Sequence, residues 1–395
     1  MKAMYIVGVD IAKRKHEAIV IDSEGSILCK PFSFTNDAVG FAKLLFKLNA
    51  ISSCPEDFEV GMESTSHYWY ALKEALDRQG YLVHVLNPIQ SNALRGLYIR
   101  QVKNDSRDSF LIAEVIRFGR YTEGQILVPE LYTLRELCRA RCYLADMAGD
   151  VRKKIIALLD QVFPEYETVF SDILGVASSA LLLRASTPKE MMDLDDQEMC
   201  GILSKASNNK FRMAKVQQIK ELAAQSFGTT VTDIAVALLI KQHVLHLRFL
   251  NQQIKEISTE INRQFSQFDT CVCTIPGVGK NLGPVIFSEI GDISRFSSSA
   301  KLAAFAGIDP TVTQSGQFTG THNHMSKRGS PYLRRAIWQA ATVIIQVDPV
   351  MKAFFQKKRT EGKTYMNAIG HVTRKLTNII YAVMRDNKPY EPRSI

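Results

Sequence analysis

The feature that most constrains this chain is Tyr5-Ile-Val-Gly-Val-Asp10-Ile-Ala-Lys13, a short apolar run with an aspartate inside it. A run of this length and composition reads as a buried strand. A carboxylate within such a strand is costly unless it is paired, hydrogen-bonded or holding a metal. Three further acids, Glu63, Asp105 and Asp108, stand in contexts that can converge on Asp10.

The elements around them follow from pattern. Residues 4–12 are the first strand, Ala18–Gly25 a second ending in a turn, and Ile27–Phe34 a third. Asp22-Ser-Glu-Gly25 is turn chemistry, so these three strands form a meander. Asn36 to Leu48 carries Phe41, Leu44, Leu45 and Leu48 at helical spacing, with Asn36 or Asp37 as its cap. Phe58–Glu63 is a fourth strand, Tyr68–Gln79 a helix, Tyr81–Leu86 a fifth strand, and Asp105–Gly119 a helix with Phe110, Leu111, Val115 and Ile116 as its buried stripe.

A three-strand meander, a helix, and then alternating strand and helix is the element order of an RNase H-like fold. The acids stand where such a fold needs them: Asp10 on the first strand, Glu63 at the end of the fourth, and Asp105 and Asp108 three apart on one helical face. Four converging carboxylates raise one another's pKa unless a cation neutralises them. Hard oxygen ligands suit Mg²⁺ or Mn²⁺, and two such ions could clamp the attacking and leaving oxygens of a phosphodiester.

Charge separates the two ends of the chain. The net charge is +9, but from Cys271 onward there are 17 Lys+Arg against 7 Asp+Glu, which leaves about −1 for the first 270 residues. A basic module on a near-neutral one points to a polyanion partner. No apolar run reaches the ~20 residues of a membrane helix, and the N-terminus lacks a signal-peptide pattern. Seven scattered cysteines without zinc spacing read as reduced thiols in a cytoplasm.

The reading divides the chain into residues 1–125, an α/β metal-binding module, a helical middle over 126–270, and a mostly helical basic module over 271–395. In the middle, Val244, Leu247, Leu250, Ile254, Ile257 and Ile261 form a coiled-coil-like seam, which fits either dimerisation or an intramolecular helical hairpin. The basic module opens with Thr274-Ile-Pro-Gly277-Val-Gly279-Lys280, a turn into a helix that is similar to a helix-hairpin-helix element, where backbone N–H groups approach phosphate. Thr311–His324 is a polar, glycine-dotted loop containing Gln314-Ser315-Gly316. Ser326-Lys327-Arg328-Gly329 then leads to Ser330-Pro331, which opens a helix bearing Arg334 and Arg335.

These blocks together resemble the transposases of the insertion-sequence-110 type, the DEDD recombinases described as guided by a bridge RNA. The resemblance rests on Val-Gly-Val-Asp10-Ile-Ala-Lys, Met62-Glu63-Ser-Thr, Asn87-Pro88 and Lys103-Asn-Asp105-Ser-Arg-Asp108 at one end. At the other it rests on Ile275-Pro-Gly-Val-Gly279, Leu302-Ala-Ala-Phe-Ala-Gly307, Gln314-Ser315-Gly316 and Met325-Ser-Lys-Arg-Gly329. Ser109 stands where an alanine commonly follows the last aspartate, and Gln314 where an acid can occur. The resemblance implies a RuvC-like domain whose Asp10, Glu63, Asp105 and Asp108 bind Mg²⁺ at the scissile phosphate, and a second domain whose Ser315 attacks it to give a covalent phosphoserine link. It also implies a non-coding guide RNA, donor and target DNA, and assembly as dimers to tetramers in which one protomer's acids meet another's serine. Gly277, Gly279, Lys280, Lys327, Arg328, Arg334 and Arg335 are the expected nucleic-acid contacts.

The rival enzyme is a RuvC-like nuclease or junction resolvase that cuts by metal-activated water; the block around Ser315 argues against it. An actin-like ATPase would need phosphate and adenosine loops that are not found in the sequence. A non-catalytic binding protein would leave the acids structural.

Overall fold

The computed structural model describes residues 5–64, 67–87, 105–119, 121, 128–231, 233–311, 314–315, 318–319 and 324–392. The chain forms two compact units, Met1–Ile126 and Leu127–Ile395.

In the first unit, β1 (Tyr5–Asp10), β2 (Lys15–Asp22) and β3 (Ile27–Thr35) make the antiparallel meander. The carboxylate of Asp22 accepts from the backbone amides of Glu24 and Ser26 and so closes the β2–β3 turn. Helix α1 (Ala38–Asn49) follows, and of the two candidate caps it is Asp37 that accepts from the Gly40 amide. Strand β4 (Phe58–Glu63), α2 (Trp69–Arg78), β5 (Leu82–Leu86) and α3 (Asp105–Phe118) complete the unit. The sheet order is β3-β2-β1-β4-β5, with β4 parallel to both β1 and β5. This five-stranded mixed sheet with helices is the arrangement expected of an RNase H-like fold.

The period of two along each strand sets what lies on which face. Val7, Val9, Val60, Met62 and Val83 are buried in a core with Leu44 and Leu48 of α1 and Leu72 and Leu76 of α2. Ile6, Ile19 and Ile21 point the other way, into a core with Ile112, Ala113 and Ile116 of α3. The first strand is therefore buried on both faces, which is why its sequence is an unbroken apolar run.

The second unit is helical. Its long helix α4 (Pro129–Val162) leads to α5 (Val176–Arg184), α6 (Pro188–Asp193), α7 (Asp196–Ala206), α8 (Met213–Ala224) and a second long helix, α9 (Asp233–Phe265). Then come α10 (Gly279–Ile290), α11 (Ser299–Phe305), the short strands β6 (Gln314–Ser315) and β7 (Phe318–Thr319), α12 (Pro331–Val347), α13 (Pro349–Thr360) and α14 (Tyr365–Asp386).

Two cores divide these helices. One joins the later turns of α4, through Ile155, Leu159 and Val162, to α5–α8 and to Val244, Leu247 and Leu250 of α9. The other joins the first turns of α4, through Leu131, Leu134 and Cys138, and Ile261 at the end of α9 to α10–α14. The beginning of each long helix thus shares a core with the end of the other, so α4 and α9 run antiparallel as a hairpin. Of the α9 seam, Val244, Leu247, Leu250 and Ile261 are buried inside the chain, and Ile254 and Ile257 are half-buried. All seven cysteines are free thiols, and burial pushes the Cys138 thiol up to about 12. Among the described residues no helix is long and apolar enough to cross a membrane.

Candidate active site

Asp10 and Glu63 end adjacent parallel strands, each one residue beyond the paired Val9 and Met62. By strand alternation Asp10 shares a face with Ile6 and Gly8, and Glu63 shares it with Glu59 and Gly61. That face carries α3, and the two glycines show how closely the helix is seated. A Cβ on Gly8 would stand 2.0 Å from the Ser109 carbonyl oxygen and 2.6 Å from the Ala113 amide nitrogen. A Cβ on Gly61 would stand 2.6 Å from the Ile116 side chain. Ser109 and Ile112 lie over the middle of the strands, and Asp108 and Asp105 belong to the preceding turn of the helix. The other end of the helix, Ile116–Gly119, lines a cavity with Ile6 and Glu59 near the strand starts, so the start of α3 lies toward the strand ends where Asp10 and Glu63 stand.

Asp108 is 9% exposed, and Asp10 and Glu63 are half-buried. The side chain of Asp105 lies outside the described residues. Among the described residues no three His, Cys, Asp or Glu side chains are close enough to hold an ion by themselves. By strand alternation Asp10 and Glu63 share the face that carries α3, and carboxylate oxygen is the donor a hard divalent cation prefers. The structure adds one acid that sequence reading missed. Glu17 is the antiparallel partner of Asp10 and lies on the same face. Its signal was available, since the turn at 11–14 and the alternation of β2 together place residue 17 opposite residue 10.

The second candidate region is the loop after α11, whose ends form a zipped stem. Ser326 donates both its backbone amide and its hydroxyl to Asp309, at the Asp309 carbonyl and carboxylate. Pro310 bridges to Met325, and Thr311 exchanges hydrogen bonds with His324 through its amide (2.7 Å) and its hydroxyl (3.0 and 3.2 Å). Farther out, Gln314 pairs with Thr319 and Ser315 with Phe318. Within the expected polar loop, Gln314-Ser315 and Phe318-Thr319 are antiparallel, with Ser315 the last residue of β6.

Below the stem the chain passes close over α11. A Cβ on Gly329 would meet the Phe305 carbonyl oxygen at 1.7 Å, and Lys327 takes a left-handed φ of 54° to enter this turn. Lys327 and Arg328 are exposed there. Ser330 caps α12 by accepting from the Leu333 amide and donates to the Glu289 carboxylate at 2.7 Å. Glu289, 3% exposed near the end of apolar α10, also takes two hydrogen bonds from Arg139 of α4, at 2.6 and 3.0 Å. This network went unread in the sequence, although a carboxylate in an apolar run is the same signal that marked Asp10.

The remaining expected contacts separate by environment. Gly277 has φ 86° and packs against α12, where a Cβ would meet the Ala340 carbonyl oxygen at 2.6 Å; its glycine is demanded by packing. Gly279 has φ 51° with open space around it, and exposed Lys280 follows at the start of α10. Arg334 gives one of its five donors to the Ala306 carbonyl oxygen, and Arg335 pairs with Asp146 at 2.7 Å. That hydrogen bond to Arg335 holds the Asp146 carboxyl below its usual range.

Comparison with known proteins agrees with this layout. Residues 7–164 match the DEDD family of insertion sequence IS110, described as Transposase, and residues 269–356 match the family described as Transposase IS116/IS110/IS902. An insertion element IS110 protein of Streptomyces coelicolor is 26% identical over 80% of this chain and 78% of its own length. A pilin gene-inverting protein of Moraxella bovis is 24% identical over 98% of both chains. The transposase for insertion sequence element IS1328 of Yersinia enterocolitica is 32% identical over 32% of this chain and 38% of its own. An acid-lined α/β unit joined to a basic helical one therefore defines a transposase, an enzyme acting on DNA. Two family models, over residues 7–164 and 269–356, together take in more than half of the sequence, and the chain belongs to the IS110 family of DEDD transposases. Membership in a DEDD family implies use of a divalent metal.

Proposed function

We propose that this transposase cuts and rejoins DNA through a covalent phosphoserine link made by Ser315, with Mg²⁺ or Mn²⁺ on the acids and a bridge RNA choosing the sites. The observation that carries the reading is that Ser315 is paired with Phe318 in a loop whose two ends are joined at Asp309–Ser326, Pro310–Met325 and Thr311–His324. Holding a nucleophile in place before substrate arrives is worth orders of magnitude in rate. Ser326, the other serine of the motif, has its hydroxyl engaged by Asp309 and serves as part of the clasp.

In the step proposed, the Ser315 oxygen bonds to phosphorus, the bond from phosphorus to one deoxyribose oxygen breaks, and that oxygen leaves as a hydroxyl carrying a proton. The reverse attack by a DNA hydroxyl releases the serine, so the phosphodiester energy is conserved. Asp10, Glu63, Asp105 and Asp108 would hold the divalent ion, which when bound stabilises negative charge on the phosphoryl oxygens. Exposed Lys280, Lys327, Arg328 and Arg335 and the remaining donors of Arg334 would contact phosphates, while Gly277 and Gly279 shape the turn that brings α10 to the backbone. Base pairing to the RNA would read sequence. The working form would be a homodimer or tetramer.

The test is a denaturing gel of the protein with end-labelled DNA, Mg²⁺ and the RNA transcribed from the flanking element. A protein-linked DNA band in wild type that is lost in both Ser315→Ala and Asp10→Asn supports the reading. Cleaved DNA without attached protein, unaffected by Ser315→Ala, would replace it with hydrolysis by activated water.

A further inference from the structure

We propose that the corner where α13 meets α14 is a second contact surface for the sugar–phosphate backbone of nucleic acid, separate from the hairpin and the glycine turn. It rests on the chain's action on DNA and does not depend on Ser315 being the nucleophile. Both family matches end by residue 356, before most of this corner.

Between residues 352 and 375 there are seven lysines and arginines and a single acid, Glu361. Such an excess often means only a solvated helix face, but here the charges are gathered. Lys375 of α14 and Lys358 of α13 approach the same ring, with their ammonium nitrogens 4.5 and 5.7 Å from the centroid of Phe354. Phe354 is itself packed against the core. Two cations from successive helices thus share one aromatic platform, which offsets part of their mutual repulsion and fixes their positions.

The turn between the helices is also braced. Arg359 donates to the Lys363 carbonyl oxygen at 2.7 Å, and Gly362 takes φ 81° with open space beside it. Lys358 pairs with Glu361, so the single acid of the segment is already engaged. His371, one turn before Lys375, has its pKa lowered by burial and by Lys358 and Lys363, with Glu361 opposing them. Tyr365, 48% exposed, stands edge-on to Phe355 with ring centroids 5.4 Å apart.

Two fixed cations, with an exposed tyrosine at the start of the same helix α14, match the chemistry of a phosphodiester strand, with charge for the backbone and a π-face for a base.

The test uses the full chain and fluorescence anisotropy from 50 to 200 mM salt, with a labelled DNA duplex in one arm and an RNA hairpin in the other. Lys358→Ala/Lys375→Ala is compared with wild type and with Lys205→Ala/Lys255→Ala, which removes the same charge from exposed positions of α7 and α9. Loss of two phosphate contacts should flatten the slope of log K against log salt by about 1.8 for duplex DNA, roughly a 60-fold loss near 0.1 M salt. A loss confined to one arm identifies the strand as DNA or RNA and supports the surface. An unchanged slope in both arms, or an equal loss in the Lys205/Lys255 variant, overturns it. Ser315→Ala should keep the wild-type slope, so failure of the covalent mechanism would be seen separately on the gel.

Discussion

Gly8→Ala is the substitution that most directly examines how the acids are brought together. The added methyl would stand 2.0 Å from the Ser109 carbonyl oxygen, where ordinary contact begins at 3.4 Å, so α3 must retreat by the difference. Neither opposing atom is the end of a flexible side chain; both nearest contacts are helix backbone. Overpacking of this kind costs roughly 1–3 kcal/mol. Alanine recovers about 0.5–1 kcal/mol by restricting the unfolded chain, which leaves a net loss near 1–2 kcal/mol. The chain has two tryptophans, Trp69 in the first unit and Trp338 in the second, so each unit can be followed alone by urea unfolding. In a Trp338→Phe background the Trp69 transition should move to lower urea; in a Trp69→Phe background the Trp338 transition should stay put. Because α3 carries Asp105 and Asp108, a shift of about 1 Å should also lower DNA cleavage by about 100-fold. Gly149→Ala is the control: this glycine lies within α4 with nothing inside 4 Å, and the change should be neutral or stabilising by up to about 1 kcal/mol. A Gly8→Ala protein that unfolds at the wild-type midpoint and cleaves at the wild-type rate would refute the seating of α3 on β1.

Three further outcomes are expected. Glu289→Ala removes the carboxylate that Arg139 and Ser330 both use, leaving a guanidinium one-third exposed without its partner, and should cost about 2–3 kcal/mol by the Trp338 transition; a loss under about 0.5 kcal/mol would show that the network is incidental. Asp309→Ala should lower covalent product about tenfold through a loosened hairpin while DNA affinity is unchanged, and Ser326→Ala should do the same; complete loss of the adduct in Ser326→Ala with adduct retained in Ser315→Ala would make Ser326 the nucleophile. His16 is 1% exposed and burial lowers its pKa, so the unfolded chain binds a proton more readily than the folded one. Stability of the first unit should therefore fall as pH drops through the ordinary histidine value of about 6.5, and an apolar residue in place of His16 should flatten that fall in the Trp69 transition.

Much of this molecule is local in origin and so was legible in one dimension. The alternation and run lengths of residues 5–86 yield the meander and the next two strands, within a residue or two except at the start of β2, which begins at Lys15 and not at Ala18. Asp10 stood out because a charge in an apolar strand has no cheap explanation. The cap at Asp37, the Ser330-Pro331 helix start and the turn at Asp22 are short-range chemistry, complete within four residues. The basic excess after Cys271 is a matter of counting. What pattern could not decide was pairing at a distance. The seam of α9 is equally suited to a partner chain or to α4, and the tertiary structure gives it to α4 because the two ends of that antiparallel pair complete two separate cores. Gly277 was legible as a turn glycine, and only the tertiary structure shows that its missing Cβ also leaves room for α12. Arg334 and Arg335, expected to meet nucleic acid, each also donate from one guanidinium nitrogen to a group within the chain, 28 and 189 residues away. Glu289 and Arg139 are 150 residues apart, and Glu17 faces Asp10 only through the sheet register. Periodicity and composition report what a residue needs; which distant group meets that need is settled only when the chain closes on itself, since burial and hydrogen bonding are satisfied by neighbours in space.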